Sequence, residues 1–170
     1  TVPCFPLLLG GDDLVMVTRA ESAIDVAMTL LDRFSEHTYH SLAQSLSLSV
    51  GVVLAHANFP FRVMLDLAES ALKFAKREGA RRGLTNRSLI NFLTISSANH
   101  LNFKKYYSET LKHQPNLQGP KWLRSLRPYT PEELRELVEV ARNFLRDAPR
   151  GRLQALGECV FLKHNQSVIE

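Results

Sequence analysis

The sequence predicts an α+β fold in which helices cover one face of a mainly antiparallel sheet. Three observations carry this expectation. Residues 5–17 form two apolar runs around the turn Gly10-Gly11-Asp12-Asp13. Residues 46–55 alternate apolar and small side chains with period two. Stretches with helical apolar spacing lie before and after that strand. The expected order over 5–96 is strand, turn, strand, helix, strand, helix, strand. The division expected from this pattern is a mixed layer over residues 1–98 and a mainly helical region over 99–170.

Each element has a local reason. Phe5 to Leu9 and Leu14 to Val17 read as a hairpin, with the two glycines supplying the positive φ values a tight reversal needs. Asp12 and Asp13 are the unusual part. Adjacent carboxylates repel, and an ordinary turn manages with a single Asp or Asn. A hard divalent cation would relieve that repulsion, since Mg²⁺ prefers oxygen ligands; a plain solvated Gly-Asp turn is the alternative. Thr18 and Glu21 have the spacing of a capping box, and Ile24, Ala27, Leu31 and Phe34 give the helix 19–37 its apolar face. His37 and His40, lacking a third ligand at metal-site spacing, read as loop residues.

In the next strand Leu46, Leu48, Val50, Val52 and Leu54 form the apolar face, and Ser47, Ser49 and Gly51 a small one. Small residues on a sheet admit a ligand or a closely packed helix. Asn58 and Pro60 open the second helix, whose stripe is Phe61, Met64, Leu65, Ala68, Ala71, Leu72 and Ala75, and Gly79 or Gly83 ends it. Lys76, Arg77, Arg81 and Arg82 gather charge at that end, where it complements the helix dipole or could clamp phosphates. Residues 87–96 supply a further strand. Gln114 to Pro128 reads as a loop, and Thr130-Pro131-Glu132-Glu133 as a strong helix start, broken after residue 148 by Pro149 and Gly151.

Composition bounds the function. With 45% hydrophobic and 22% charged residues the chain has the balance of a globular protein. No apolar run approaches the roughly 20 residues of a membrane span, and no signal-peptide pattern is present. Cys4 and Cys159 lie in apolar runs and read as free thiols of a reducing, cytoplasmic compartment. The net charge of +4 arises beyond residue 98; residues 1–98 hold nine Lys/Arg and nine Asp/Glu. A chain that opens at Thr1 directly into a strand is expected to be a piece of a longer protein.

Three segments line up in order: the Gly10-Gly11-Asp12-Asp13 hairpin, the strand Ser49-Val50-Gly51-Val52-Val53, and the helix Leu67 to Lys76. The set resembles the GGDEF/palm superfamily, with a ferredoxin-like sheet, and closely resembles the second palm domain of the large subunit of type III CRISPR effector complexes. The stretch Arg127 to Leu134 is similar to the start of the helical domain that follows that palm. The resemblance implies an ATP-using nucleotidyltransferase that makes cyclic oligoadenylates for antiviral defence. It implies that Asp12 and Asp13 are catalytic and hold Mg²⁺ (or Mn²⁺), and that Gly10, Gly11, Ser49 and Lys76 contact the nucleotide. The implied partners are ATP and, in the intact protein, other subunits and guide RNA.

The superfamily's palm carries a strand and helices before the hairpin, which supply a further metal-binding carboxylate. Their absence here leads to the expectation of an incomplete sheet, an inactive fragment, and an open edge at which two copies could form a homodimer. Two other readings stand beside this one. A GTP-using diguanylate cyclase is opposed by Asp13 and Leu14, where that family usually has Glu and Phe. A non-catalytic palm would serve as a scaffold or regulatory module, and such a module has no need of adjacent carboxylates.

Overall fold

The computed structural model describes residues 4–95, 127–149, 151–153 and 155. Thr1–Pro131 and Glu132–Glu170 are separate compact units. The expected domain boundary after residue 98 lies outside the described residues, as does Cys159.

Among its described residues the first unit holds two small sheets. Strands β1 (Cys4–Gly10) and β2 (Asp13–Thr18) form an antiparallel hairpin with a bulge between Pro6 and Leu8. Strands β3 (Ser49–Leu54) and β4 (Leu89–Thr94) pair in parallel, from Ser49↔Leu89 to Leu54↔Thr94. The expectation of a mainly antiparallel sheet therefore holds only for the hairpin. Helix α2 (Phe61–Arg81) is the cause, because a helical crossover returns the chain to the same end of the sheet and delivers the next strand in parallel.

Helix α1 (Ala23–Leu42) follows β2 through a single 3-10 turn at Ala20–Ser22. Neither Arg19, the N-cap of that turn, nor Ser22, the N-cap of the helix, makes a side-chain cap bond, and Glu21 pairs with Arg19. The helix also runs past the expected stop at residue 37. Thr38 is buried, its hydroxyl donates back to Phe34 O at 2.9 Å, and it accepts from Leu46 N at 3.1 Å. That bond ties the following loop to the helix, which ends with Ala43 in the left-handed region. His37 and His40 consequently sit exposed on the last turns of α1, not in a loop.

Helix α2 begins after Pro60 and passes through Gly79, which is buried beside Leu89. It closes at Gly83 (φ 73°), with Leu84 N donating to Gly79 O at 2.8 Å and Gly83 N to Ala80 O at 3.1 Å. Those paired bonds are a Schellman cap, which satisfies the last carbonyls and requires a residue free to adopt positive φ. The core is built between α2 and the parallel pair: Leu67, Ala71 and Phe74 pack with Leu93 and Ile95, flanked by Val53, Ala55, Phe59 and Val63.

The parallel pair turns its faces in an unexpected way. Gly51 lies under Ala68 and Leu72 of α2, so Ser49, Gly51 and Val53 form the helix-covered face by alternation. The apolar residues Val50, Val52 and Leu54 lie on the opposite face and are only half-buried. On β4 the same α2-facing row holds Leu89, Asn91 and Leu93; Asn91 Nδ2 donates 2.9 Å to Ala71 O within the helix.

In the second unit, helix α3 (Pro131–Asp147) starts at the proline, as its sequence predicts. Its apolar stripe is exposed at Leu137, Val140, Phe144 and Leu145. None of the described helices is long and apolar enough to cross a membrane.

Candidate functional site

The hairpin places its carboxylates by backbone geometry. Gly10 pairs with Asp13 across the strands, leaving Gly11 and Asp12 as a two-residue loop. Gly11 has φ 60° and no non-glycine in this loop is left-handed. That pattern, positive φ at the first loop position alone, is the type II′ turn, whose twist matches that of the strands. Only one of the two glycines therefore supplies positive φ. Gly10 lies outside that region, and a Cβ built on it would meet nothing within 4 Å. Open space over the backbone at Gly10 leaves room for a ligand to approach.

Asp12 and Asp13 are both exposed. Neither carboxylate makes a hydrogen bond or ion pair among the described residues, which supply the tip with neither an arginine clamp nor a helix to cap. Two free carboxylates on one turn fit a magnesium ion held jointly with phosphate, because that ion binds through one or two carboxylates and keeps waters or substrate oxygens as its other ligands. They do not make a closed protein cage: no group of three or more His, Cys, Asp or Glu that could hold a metal occurs among the described residues.

The hairpin strands are apolar on both faces. Phe5, Leu8 and Val17 belong to one face, Leu9 and Leu14 to the other, and all are exposed. Cys4 is partly buried and its thiol lies 3.4 Å from Met16 Sδ.

Lys76 is exposed on α2 and pairs with no carboxylate among the described residues. It stands within a run of charge whose other members are engaged: Lys73 with Glu69 at 3.1 Å, Arg77 over the Phe74 ring at 5.6 Å, Arg81 with Glu78 at 2.5 Å, and Arg82 with Pro128 O at 2.6 Å. The Arg81 guanidinium, bonded to both Glu78 oxygens, holds that carboxyl below its ordinary pKa. Ser49 sits at the start of β3 on the α2-covered face. Ser49 and Lys76 thus belong to the β3–β4 layer, and Gly10, Gly11, Asp12 and Asp13 to the separate hairpin.

Residues 4–85 match a family model described as Cas10/Cmr2, second palm domain. The matched span runs from the first hairpin strand through the Schellman cap of α2. Over this stretch the chain is similar to that palm domain. No curated protein and no solved structure matches the chain.

The match takes in the hairpin, α1, β3 and α2 and leaves β4 outside the matched residues. The sequence reading missed one cluster there. Tyr129 exchanges backbone hydrogen bonds with Ile90 (2.8 and 2.9 Å) and so covers the outer edge of β4. Its ring stacks on Phe92 at 6.0 Å, and the Arg127 guanidinium lies 3.9 Å from the centre of the Phe92 ring. A lone Arg-Pro-Tyr segment has no periodicity to betray this pairing, so it read as the approach to a helix. Residues 127–130 instead finish the palm-side sheet.

Proposed function

We propose that this palm domain binds ATP through the Gly-Gly-Asp-Asp tip and, in the intact protein, joins ATP units by 3′–5′ phosphodiester bonds into cyclic oligoadenylates. The observation that carries the reading is the tip itself. The carboxylates of Asp12 and Asp13 are exposed and unengaged among the described residues, beside a glycine whose backbone has open space above it although its φ does not demand glycine. Asp12 and Asp13 would hold Mg²⁺ or Mn²⁺. When bound, two such ions lower the pKa of the attacking hydroxyl and offset charge on the leaving oxygens. In the reaction a 3′-hydroxyl gives up its proton and attacks an α-phosphorus, the new P–O bond forms, and pyrophosphate departs.

The residues of this chain contribute binding and orientation. Gly10 and Gly11 let the triphosphate approach the backbone without a Cβ in the way. Lys76, free of a carboxylate partner among the described residues, supplies a mobile cation for phosphate oxygens. Ser49, on the face that α2 covers, stands outside this set. A third carboxylate does not join the pair among the described residues.

Calorimetric titration of Mg²⁺-ATP into the intact protein tests the proposal. Binding should depend on the divalent ion and weaken at least tenfold in the Asp12→Asn/Asp13→Asn variant. Equal binding by wild type and variant, or binding unchanged by EDTA, rejects the tip as the site. Tighter binding of GTP than ATP would transfer the assignment to a guanylate-using cyclase, and metal-independent or absent nucleotide binding in the intact protein would favour a scaffold.

A further inference from the structure

The first 98 residues are electrically balanced, yet six of their nine basic residues fall within fifteen positions: Lys73, Lys76, Arg77, Arg81, Arg82 and Arg87. All six are exposed. Lys73, Lys76, Arg77 and Arg81 occupy one side of α2, at the i, i+3, i+4 and i+8 spacing that stacks side chains on a common face. Arg82 is the C-cap, and Arg87 follows in the loop to β4. Even with the neighbouring carboxylates Glu69 and Glu78 counted, four positive charges remain. A helix C-terminus carries only about half a negative charge, so its dipole accounts for a fraction of this excess. The internal ion pairs do not neutralise the surface against a competitor, because pairs this exposed are worth little and exchange partners readily.

We infer that this end of α2 is a docking surface for the phosphate backbone of a nucleic acid, distinct from the Gly-Gly-Asp-Asp tip, with Lys76 the one residue that it shares with the ATP site proposed above. Two features favour a polyphosphate over an acidic protein. Four of the six cations are arginines, whose planar forks match phosphate oxygens in pairs. The patch also lacks an apolar anchor. No large hydrophobic side chain is exposed between Phe61 and Leu137 among the described residues, whereas protein interfaces are centred on such groups. A surface of charge alone suits a sequence-independent backbone contact. The four cations on α2 span about 12 Å of helix at 1.5 Å per residue, enough to meet two or three consecutive phosphates.

The test is salt-dependent binding of a fluorescent 20-nucleotide oligouridylate to the protein, with Lys76 left unchanged. The variant Arg77→Gln/Arg81→Gln/Arg87→Gln should bind on the order of tenfold more weakly at physiological salt. Its slope of log affinity against log salt should fall by about 2, at roughly 0.7 per lost single-strand contact. The control Arg19→Gln/Arg33→Gln/Arg62→Gln removes the other three basic residues of the same region and should leave the slope within about 0.5 of wild type. Should the triple variant melt early by circular dichroism, Arg77→Gln/Arg81→Gln should still lower the slope by about 1.4. Equal losses in patch and control variants would overturn the inference. So would an unchanged slope, or competition by polyglutamate as strong as by RNA. Mg²⁺-ATP binding should survive the patch variant, and oligouridylate binding should survive Asp12→Asn/Asp13→Asn, so each proposal can fail without the other.

Discussion

Replacing Gly51 by alanine should destabilise the palm by about 2 kcal/mol, although the change adds one methyl group to a strand. A Cβ at this position would sit well inside contact distance of the Ala68 carbonyl oxygen, 2.9 Å from Leu72 N and 3.2 Å from Ala68 C. All three atoms are helix backbone, so no rotamer change relieves the overlap. Helix α2 must lift from β3 by about 1 Å to restore an ordinary C···O separation near 3.3 Å, and the contacts of Ala71 and Val53 loosen with it. Overpacking of this kind costs about 1–3 kcal/mol, and the rigid neighbours place this site toward the upper end. The alanine recovers about 0.4–1 kcal/mol by restricting the unfolded chain, since Gly51 is outside the left-handed region. The net corresponds to a fall in Tm on the order of 10 °C for a domain of this size. Gly79→Ala is the matched comparison. Its Cβ would press on Leu89 Cδ1, the end of a flexible side chain, and it gains about 1 kcal/mol of helix propensity. Urea unfolding followed by circular dichroism measures both. Gly51→Ala should fall below Gly79→Ala by at least about 1.5 kcal/mol on these magnitudes. A Gly51→Ala variant as stable as wild type would refute the close approach of α2 to β3.

Two further predictions follow from the same layer. Glu78 has a carboxyl pKa lowered first by hydrogen bonding to Arg81, against the cost of its partial burial. A depressed folded value means its stabilisation is present above the unfolded carboxylate pKa near 4.3 and fades as pH drops through the lower folded value. Glu78→Gln should therefore flatten the acid side of a stability–pH profile below about pH 5, and an unchanged profile counts against the pair. Hydrogen exchange should alternate along β3. Leu48 O accepts from Leu89 N at 3.2 Å and Leu54 O from Ile95 N at 2.8 Å, which turns the Val50, Val52 and Leu54 amides toward β4 and those of Ser49, Gly51 and Val53 toward the opposite edge, where no strand pairs among the described residues. The first three should exchange slowly and the second three quickly at low concentration. Protection of the second set that appears only at high protein concentration would mark pairing of two copies along this edge.

Much of the palm was legible because its signals are local. A Gly-Gly-Asp-Asp run between apolar strands defines a hairpin within a dozen residues, and the stripes of α1 and α2 repeat often enough to outvote any single position. What was not legible depends on which neighbour each face meets. Strand β3 shows the difficulty. Its larger side chains, Val50, Val52 and Leu54, read as the row on the core, and Ser49 with Gly51 as a small row open to a ligand or to a closely packed helix. The fold puts α2 on the small row and leaves the larger one half-buried, because the tightest packing against a helix is made where side chains are smallest and the two backbones meet. Period two reports that the faces differ; it does not say which difference the core uses. The same limit applies to strand direction. The intervals between β1 and β2 and between β3 and β4 are a two-residue turn and a 21-residue helix with its flanking loops. Those connection lengths, more than the strands' composition, determine that the first pair is antiparallel and the second parallel. For the tip the reasoning runs the other way. Adjacent carboxylates are electrostatically unfavourable for a turn, and the structure supplies no cation from the described residues to compensate. A feature that weakens the fold while serving no packing role is best explained by what binds there, which is why Asp12 and Asp13 carry the functional argument and Ser49 does not.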